Sequence, residues 1–256
     1  MTFEIETRGV ALELHLTVVA KTPCVISIIG YDATSKHTVY FNRGYGFRNL
    51  PDVENVLLQG EKVFKIPMPL TPSKLSIKLS NDIDFANVTI TKAEAKPLKR
   101  KEVWMKEADR DFINFAYEFA REAGTIAAGK TWGSDSERFV LRYLPVLKNR
   151  ETGQVLSTPA RINRITGVIE VARDKFVRFT VFMRVIILFH EYFHYDLDTR
   201  SEQKADFNAI AWALGLGFPR TEVMYAFTKV FGNVKALQSR EIDNINFIKN
   251  YELIKE

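Results

Sequence analysis

The sequence predicts an α+β fold: an N-terminal antiparallel β-sandwich, then a second domain built from a small sheet and several helices. Three observations carry that expectation. Residues 1–92 alternate apolar and polar positions with a period of two, and residues 105–256 switch mostly to helical spacing. A charged, proline-broken stretch at 93–104 lies between them and reads as a linker. At 256 residues the chain is long enough for one large domain or two ordinary ones.

The expected strands of the first half fall at 3–7, 12–18, 25–29, 38–41, 63–66, 75–79 and 88–90, each bounded by Gly, Pro, Asn or Asp. Asn42-Arg43-Gly44-Tyr45-Gly46 reads as a turn. His15 sits in an alternating strand and His37 in a polar turn, and both read as structural. No catalytic constellation stands out in this half.

In the second half, Phe112, Phe115, Ala116, Phe119 and Ala123 mark one helix face, which Gly124 ends. Residues 139–144 read as a strand, and 159–162 with 167–171 as a strand pair around a turn at 163–166. Asp174 is the expected cap of a long helix through Val177, Val181, Val185 and Leu188. A polar turn near 196–200 leads to a helix over 202–214, ended by Gly215, Gly217 and Pro219. Amphipathic helices near 221–231 and 234–254 complete the chain.

Composition narrows the function classes. The balance of 36 basic against 31 acidic residues gives +5, which does not call for nucleic acid as a partner. The chain has 1 cysteine, so neither an intrachain disulfide nor a thiolate cluster can form. The N-terminal segment lacks the pattern of a secretory signal, and the most apolar stretch, 181–189, is too short to span a bilayer and carries Arg184. The expectation is an intracellular, cytoplasmic protein without membrane contact, with residence in a virion as the alternative.

His190-Glu191-Tyr192-Phe193-His194 reads H-E-x-x-H, and the chain has only 4 histidines. On a helix this spacing puts both imidazoles on one face, within reach of one ion, beside a carboxylate able to take a proton from an activated water. Two core imidazoles that are merely hydrogen-bonded would be the plainer reading of an i, i+4 pair. Glu191, the apolar helix before the motif and the segment that follows outweigh it. That segment, Glu202-Gln203-Lys204-Ala205-Asp206, places two carboxylates one turn apart. One can bind metal while the other accepts a hydrogen bond from a ligand imidazole. A nitrogen, nitrogen, oxygen ligand set favours Zn2+.

Gly124-Thr125-Ile126-Ala127-Ala128-Gly129-Lys130-Thr131 matches the phosphate-binding G-x-x-x-x-G-K-[ST] pattern. That loop needs a strand entering and a helix leaving. Here a helix enters and Trp132-Gly133-Ser134-Asp135 follows, so the segment reads as a helix-to-strand loop.

H-E-x-x-H followed by E-x-x-A-D resembles the gluzincin metallopeptidases, in particular CAAX-prenyl-protease-type enzymes and the ImmA/IrrE-type peptidases of phages and mobile elements. The resemblance covers 105–230 in architecture and His190–Asp206 in specific residues. It implies a zincin-like domain with H-E-x-x-H on a central helix, His190, His194 and Glu202 as zinc ligands, Glu191 as catalytic base and Asp206 as a second-shell partner. It further implies a zinc-dependent endopeptidase that hydrolyses peptide bonds with a metal-activated water, and a strand edge, expected at Val168–Val171, along which a protein or peptide substrate pairs. Only seven residues separate His194 from Glu202, fewer than those families usually have. Asp206 and then Asp198 therefore stand behind Glu202 as third ligand. Tyr195, Tyr225 and Arg200 are candidate oxyanion partners. Two other readings accompany this one. In the first, a structural or virion-assembly protein uses the zincin-like fold as scaffold and binds assembly partners through the β domain, with the loop at 40–47 as a docking element. In the second, the chain is a metal-dependent regulator or toxin.

Overall fold

A computed structural model describes residues 2–35, 38–43, 57–81, 87–98, 105–231 and 238–251, and these form a mixed α+β chain. The chain divides into two units, Met1–Lys101 with Gly217–Glu222, and Glu102–Leu216 with Val223–Glu256. His37, residues 44–46 of the expected turn and residues 44–47 of the expected docking loop lie outside the described residues, and Tyr40 and Phe41 of that loop are buried in a strand and not exposed for docking. Among the described residues no helix is long and apolar enough to cross a membrane.

The first unit is organised around one long strand. The sequence suggested separate strands at 12–18 and 25–29, but both belong to β2 (Leu12–Asp32). Its first part pairs antiparallel with β4 (Leu57–Met68) on one side and β6 (Val88–Pro97) on the other. Its second part pairs antiparallel with β3 (Val39–Arg43) and β5 (Lys74–Asn81), and β5 also pairs with β1 (Thr2–Glu6). The register shifts between Ala20 and Cys24; Pro23, which has no N–H to give a ladder, falls at that irregularity. Leu12, Leu14, Leu16, Val18 and Ala20 are buried at alternate positions, as period two requires. On the opposite face His15 Nε2 meets Glu13 Oε1 at 2.5 Å. β6 also takes in residues 93–97, which the sequence suggested as the start of the linker: Ala93, Ala95 and Pro97 stand opposite Leu16, Leu14 and Leu12. Proline and the two charges Glu94 and Lys96 disguised a strand whose outer side has no ladder partner among the described residues, where such residues are tolerated.

The second unit packs helices on a sheet ordered β7 (Lys130–Gly133), β8 (Val140–Leu144), β10 (Ile169–Ala172), β9 (Ala160–Ile162). The β8–β10 pair is parallel and the others antiparallel. The strand expected as the free edge is therefore corrected: Ile169–Val171 is paired on both sides, and the edge strands of this sheet are β7 and β9. A local hairpin was visible in the sequence. The crossover that sets β8 against its far side is a long-range event with no local signature.

Leu141, Tyr143, Ile169 and Val171 are fully buried on one face of this sheet. The Phe119 ring of α1 (Glu107–Glu122) meets the Tyr143 ring at 5.2 Å, and the Tyr143 hydroxyl donates to the Ala123 carbonyl at 2.6 Å. Lys130 and Thr131 of the G-x-x-x-x-G-K-[ST] match lie in strand β7, with α1 before them, so a strand leaves this loop where a phosphate loop needs a helix.

The long helix is α3 (Val181–Asp196), buried at every position from Val181 to His194. Asp174 does not cap it. Asp174 lies in the short α2 (Arg173–Phe176), and Thr180 caps α3 with extended backbone and a hydroxyl that accepts from Met183 N at 3.2 Å. Such a helix can carry Arg184 at 1% exposure because the guanidinium donates to the carbonyls of Phe176, Val177 and Ala120 at 3.2, 2.9 and 3.0 Å. α4 (Glu202–Gly215) packs against α3 through Trp212, whose ring lies 4.5 Å from Phe193 and 5.4 Å from Phe189.

Candidate metal centre

H-E-x-x-H lies wholly within α3, so His190 and His194 project from the same side one turn apart. Their rings are edge-on, with Nε2 atoms 3.0 Å from each other. α4 begins with Glu202, capped by the Ser201 hydroxyl, which accepts from Lys204 N at 3.3 Å. Its carboxylate stands 3.4 Å from His190 Nε2 through Oε2 and 3.4 Å from His194 Nε2 through Oε1. The donor atoms of the three residues all lie within 4.8 Å of one another. Two donors each about 2 Å from a tetrahedral ion sit about 3.3 Å apart. The spacings of 3.0, 3.4 and 3.4 Å are therefore those of three corners of such a site.

The outward ring nitrogens are held as well. His190 Nδ1 lies 2.8 Å from Asp206 Oδ1, and His194 Nδ1 lies 2.9 Å from the Thr199 carbonyl oxygen. Acceptors at both Nδ1 positions fix the Nδ1–H tautomer and turn each Nε2 lone pair toward Glu202. Asp206 is fully buried. It can stay ionised there because Arg240 of α6 (Gln238–Asn250) grips it with Nε at 2.6 Å and Nη2 at 2.8 Å, and Asn244 Nδ2 donates at 2.8 Å. Arg240 Nη2 also reaches Glu202 Oε2 at 3.0 Å. Sequence reading missed Arg240, Asn244 and the Thr199 carbonyl. The two side chains lie four residues apart on the last helix, a spacing that marks a shared face and nothing more.

The short connection between the helices is closed by its own hydrogen bonds. Asp198 N donates to Tyr195 O at 3.1 Å and Thr199 N to His194 O at 3.1 Å, the two bonds of a Schellman turn. Asp198 takes φ +39°, the left-handed position where glycine is usual and aspartate is tolerated. Its carboxylate, one of the alternative third ligands, pairs instead with Arg164 at 3.2 Å and is exposed. Asp206, the other alternative, faces Nδ1 of His190 and not the Nε2 corner. Of the oxyanion candidates, Tyr195 lays its ring over Gly167, Arg200 lies in the turn before α4, and Tyr225 is on α5 (Arg220–Phe231).

Charge follows this geometry. Burial works to depress the His190 imidazole, but hydrogen bonds to Asp206 and Glu202, with the charges of Glu191 and Asp206, outweigh it and raise its pKa to about 9. His194 is also raised: burial opposes, while its bonds to Glu202 and Thr199 prevail. The two imidazoles hold Glu202 far below the usual carboxylate range. Burial pushes Asp206 up, but its hydrogen bonds to His190 and Arg240 bring it below its ordinary value. Glu191 is raised by burial, against the pull of both imidazoles, and accepts a backbone hydrogen bond from Ile162 on β9. The Glu191 carboxylate is thus bonded to β9 and close enough to both imidazoles to feel their charge.

No family model matches this chain, and neither the curated proteins nor the solved structures give a significant match. The functional reading therefore rests on the arrangement itself.

Proposed function

We propose that the second unit is a zincin-like domain and that the chain is a zinc-dependent metalloendopeptidase, its first unit folding as a β-sandwich that meets protein partners. The observation that carries this reading is the convergence of His190 Nε2, His194 Nε2 and the Glu202 carboxylate, with both Nδ1 atoms held by other acceptors. Three protein donors suit a catalytic site, which keeps one position open; structural zinc sites use four. When bound, the ion supplies Lewis acidity, polarising a peptide carbonyl and acidifying water. Asp206 and Thr199 orient the imidazoles, and Arg240 keeps Asp206 ionised and Glu202 in place. Glu191 accepts the proton of the attacking water at its carboxylate and passes it to the leaving amine. Its raised affinity for a proton suits that shuttle near neutral pH. β9 replaces the edge expected from the sequence: a peptide laid along it would extend the sheet beside the strand whose Ile162 bonds Glu191.

Substituting Glu191→Gln should leave zinc content unchanged and lower peptide hydrolysis by about 10²- to 10⁴-fold. Cleavage of a casein or peptide-library substrate at the wild-type rate would remove Glu191 from the chemistry. The assembly-scaffold reading differs in expecting weak or no zinc-dependent hydrolysis from wild type.

A further inference from the structure

The sheet face turned away from the buried side chains carries a charge cluster that the metal centre does not use. Register puts Arg142 of β8, Glu170 of β10 and Arg161 of β9 in one row across three strands, on the side opposite buried Leu141, Tyr143, Ile169 and Val171. Arg150, from the loop after β8, reaches the same carboxylate. Arg161 grips Glu170 Oε2 with Nε at 2.7 Å and Nη2 at 2.6 Å, while Arg150 and Arg142 approach Oε1 at 3.3 and 3.9 Å. One carboxylate answers three guanidinium groups, so two positive charges are left over. The side chains of Arg142 and Arg150 remain 57% and 67% exposed, and a guanidinium has five N–H donors, so both have donors to spare.

An arginine–glutamate–arginine row alone would be ordinary cross-strand pairing. The third arginine goes beyond it, and so does the space these groups enclose. Arg142, Arg150 and Arg161, with Asn163 and Thr166, line a cleft of about 400 Å³, large enough for a bound side chain or small ligand. Its place is the other argument. Ile162 lines the same cleft and gives a backbone hydrogen bond to Glu191. A strand paired along the β9 edge turns alternate side chains to the face that carries Arg161. The groups waiting there are forked, cationic and matched to a carboxylate.

We propose that this cleft is a subsite selecting an acidic side chain of a peptide lying along β9, an inference that rests on the reading of β9 as the substrate edge. The test is fluorescence anisotropy on the full-length, zinc-loaded Glu191→Gln protein. Its probes are two labelled alanine–valine octapeptides, identical except for Glu or Gln at alternate positions. At low salt the Glu peptide should bind about tenfold more tightly. An Arg142→Gln/Arg150→Gln double variant should erase that preference, and Arg142→Glu/Arg150→Glu should invert it. Arg138→Gln, which removes a charge away from the cleft, should leave the preference intact. Both cleft arginines are largely exposed, and circular dichroism checks that the variants fold. Equal binding of the peptides, binding of neither, or a preference that survives the double variant overturns the subsite. Cleavage by the wild-type protein separates the two readings. A preference that depends on the arginines without any hydrolysis keeps the subsite and sinks the peptidase. Hydrolysis of both peptides, indifferent to the arginines, does the reverse.

Discussion

His190 gives its Nδ1 to Asp206 and His194 gives its Nδ1 to the Thr199 carbonyl, and both Nε2 atoms are thereby left to face Glu202. On the proposed reading Asp206 orients one zinc ligand without being one, so Asp206→Asn should weaken zinc binding by about 10- to 100-fold without abolishing it. Competition with a chromogenic chelator measures this, and unchanged affinity would mean that the bond to His190 does not matter. The His190 proton predicts a pH dependence. Its pKa stands at about 9, above the ordinary 6.5, and an ion on Nε2 must displace that proton. Zinc affinity should therefore rise at least tenfold per pH unit up to about 9, and more steeply where His194, also raised, must give up a proton as well, and then flatten. In the ion-free chain the same proton stabilises the fold: that contribution is complete below about 6.5 and is lost as pH rises through about 9. An affinity independent of pH between 7 and 9 would contradict the assignment. Sequence spacing exposed His190, Glu191, His194, Glu202 and Asp206 because all sit at helical intervals. It could not expose Arg240, Asn244 or a backbone carbonyl, which join the site through tertiary contact alone.

The turn between α3 and α4 sets the distance from His194 to Glu202. Asp198 at φ +39° lets the chain reverse within a Schellman turn, and that turn delivers the Thr199 carbonyl to His194. Asp198→Gly should keep full zinc content and stability, since glycine adopts this conformation freely and the exposed pair with Arg164 contributes little. Asp198→Val should lower stability by about 1–3 kcal/mol, because a β-branched residue strains the left-handed position. Urea denaturation with zinc analysis checks both, and loss of zinc in Asp198→Gly would restore Asp198 as a ligand. Element by element, the alternation and helix spacing located most strands and all the long helices. The differences among the strands share one cause. The joining of 12–18 and 25–29 into β2, the strand character of 93–97 and the inner position of β10 all depend on which distant strand lies alongside. A local pattern shows which side of a strand is buried; it does not carry the order of the sheet.

At the scale of the molecule, the mixed α+β composition and the separation into a β-rich and a helix-rich part were readable from periodicity. The membership of Gly217–Glu222 in the first unit was not, because that segment lies far along the chain. The chain has 1 cysteine, buried on β2, which cannot by itself build a thiolate metal cluster. Among the described residues the grouping of metal-binding side chains is His190, His194 and Glu202. The measurement that tests the account most directly is the zinc content of the full-length protein after equilibration with Zn2+ and removal of excess. It should be read by plasma mass spectrometry beside His190→Ala and His194→Ala. About one tightly held zinc per wild-type chain is expected, with near-complete loss in each variant. Zinc retained by both variants, or never held tightly by the wild type, would contradict it.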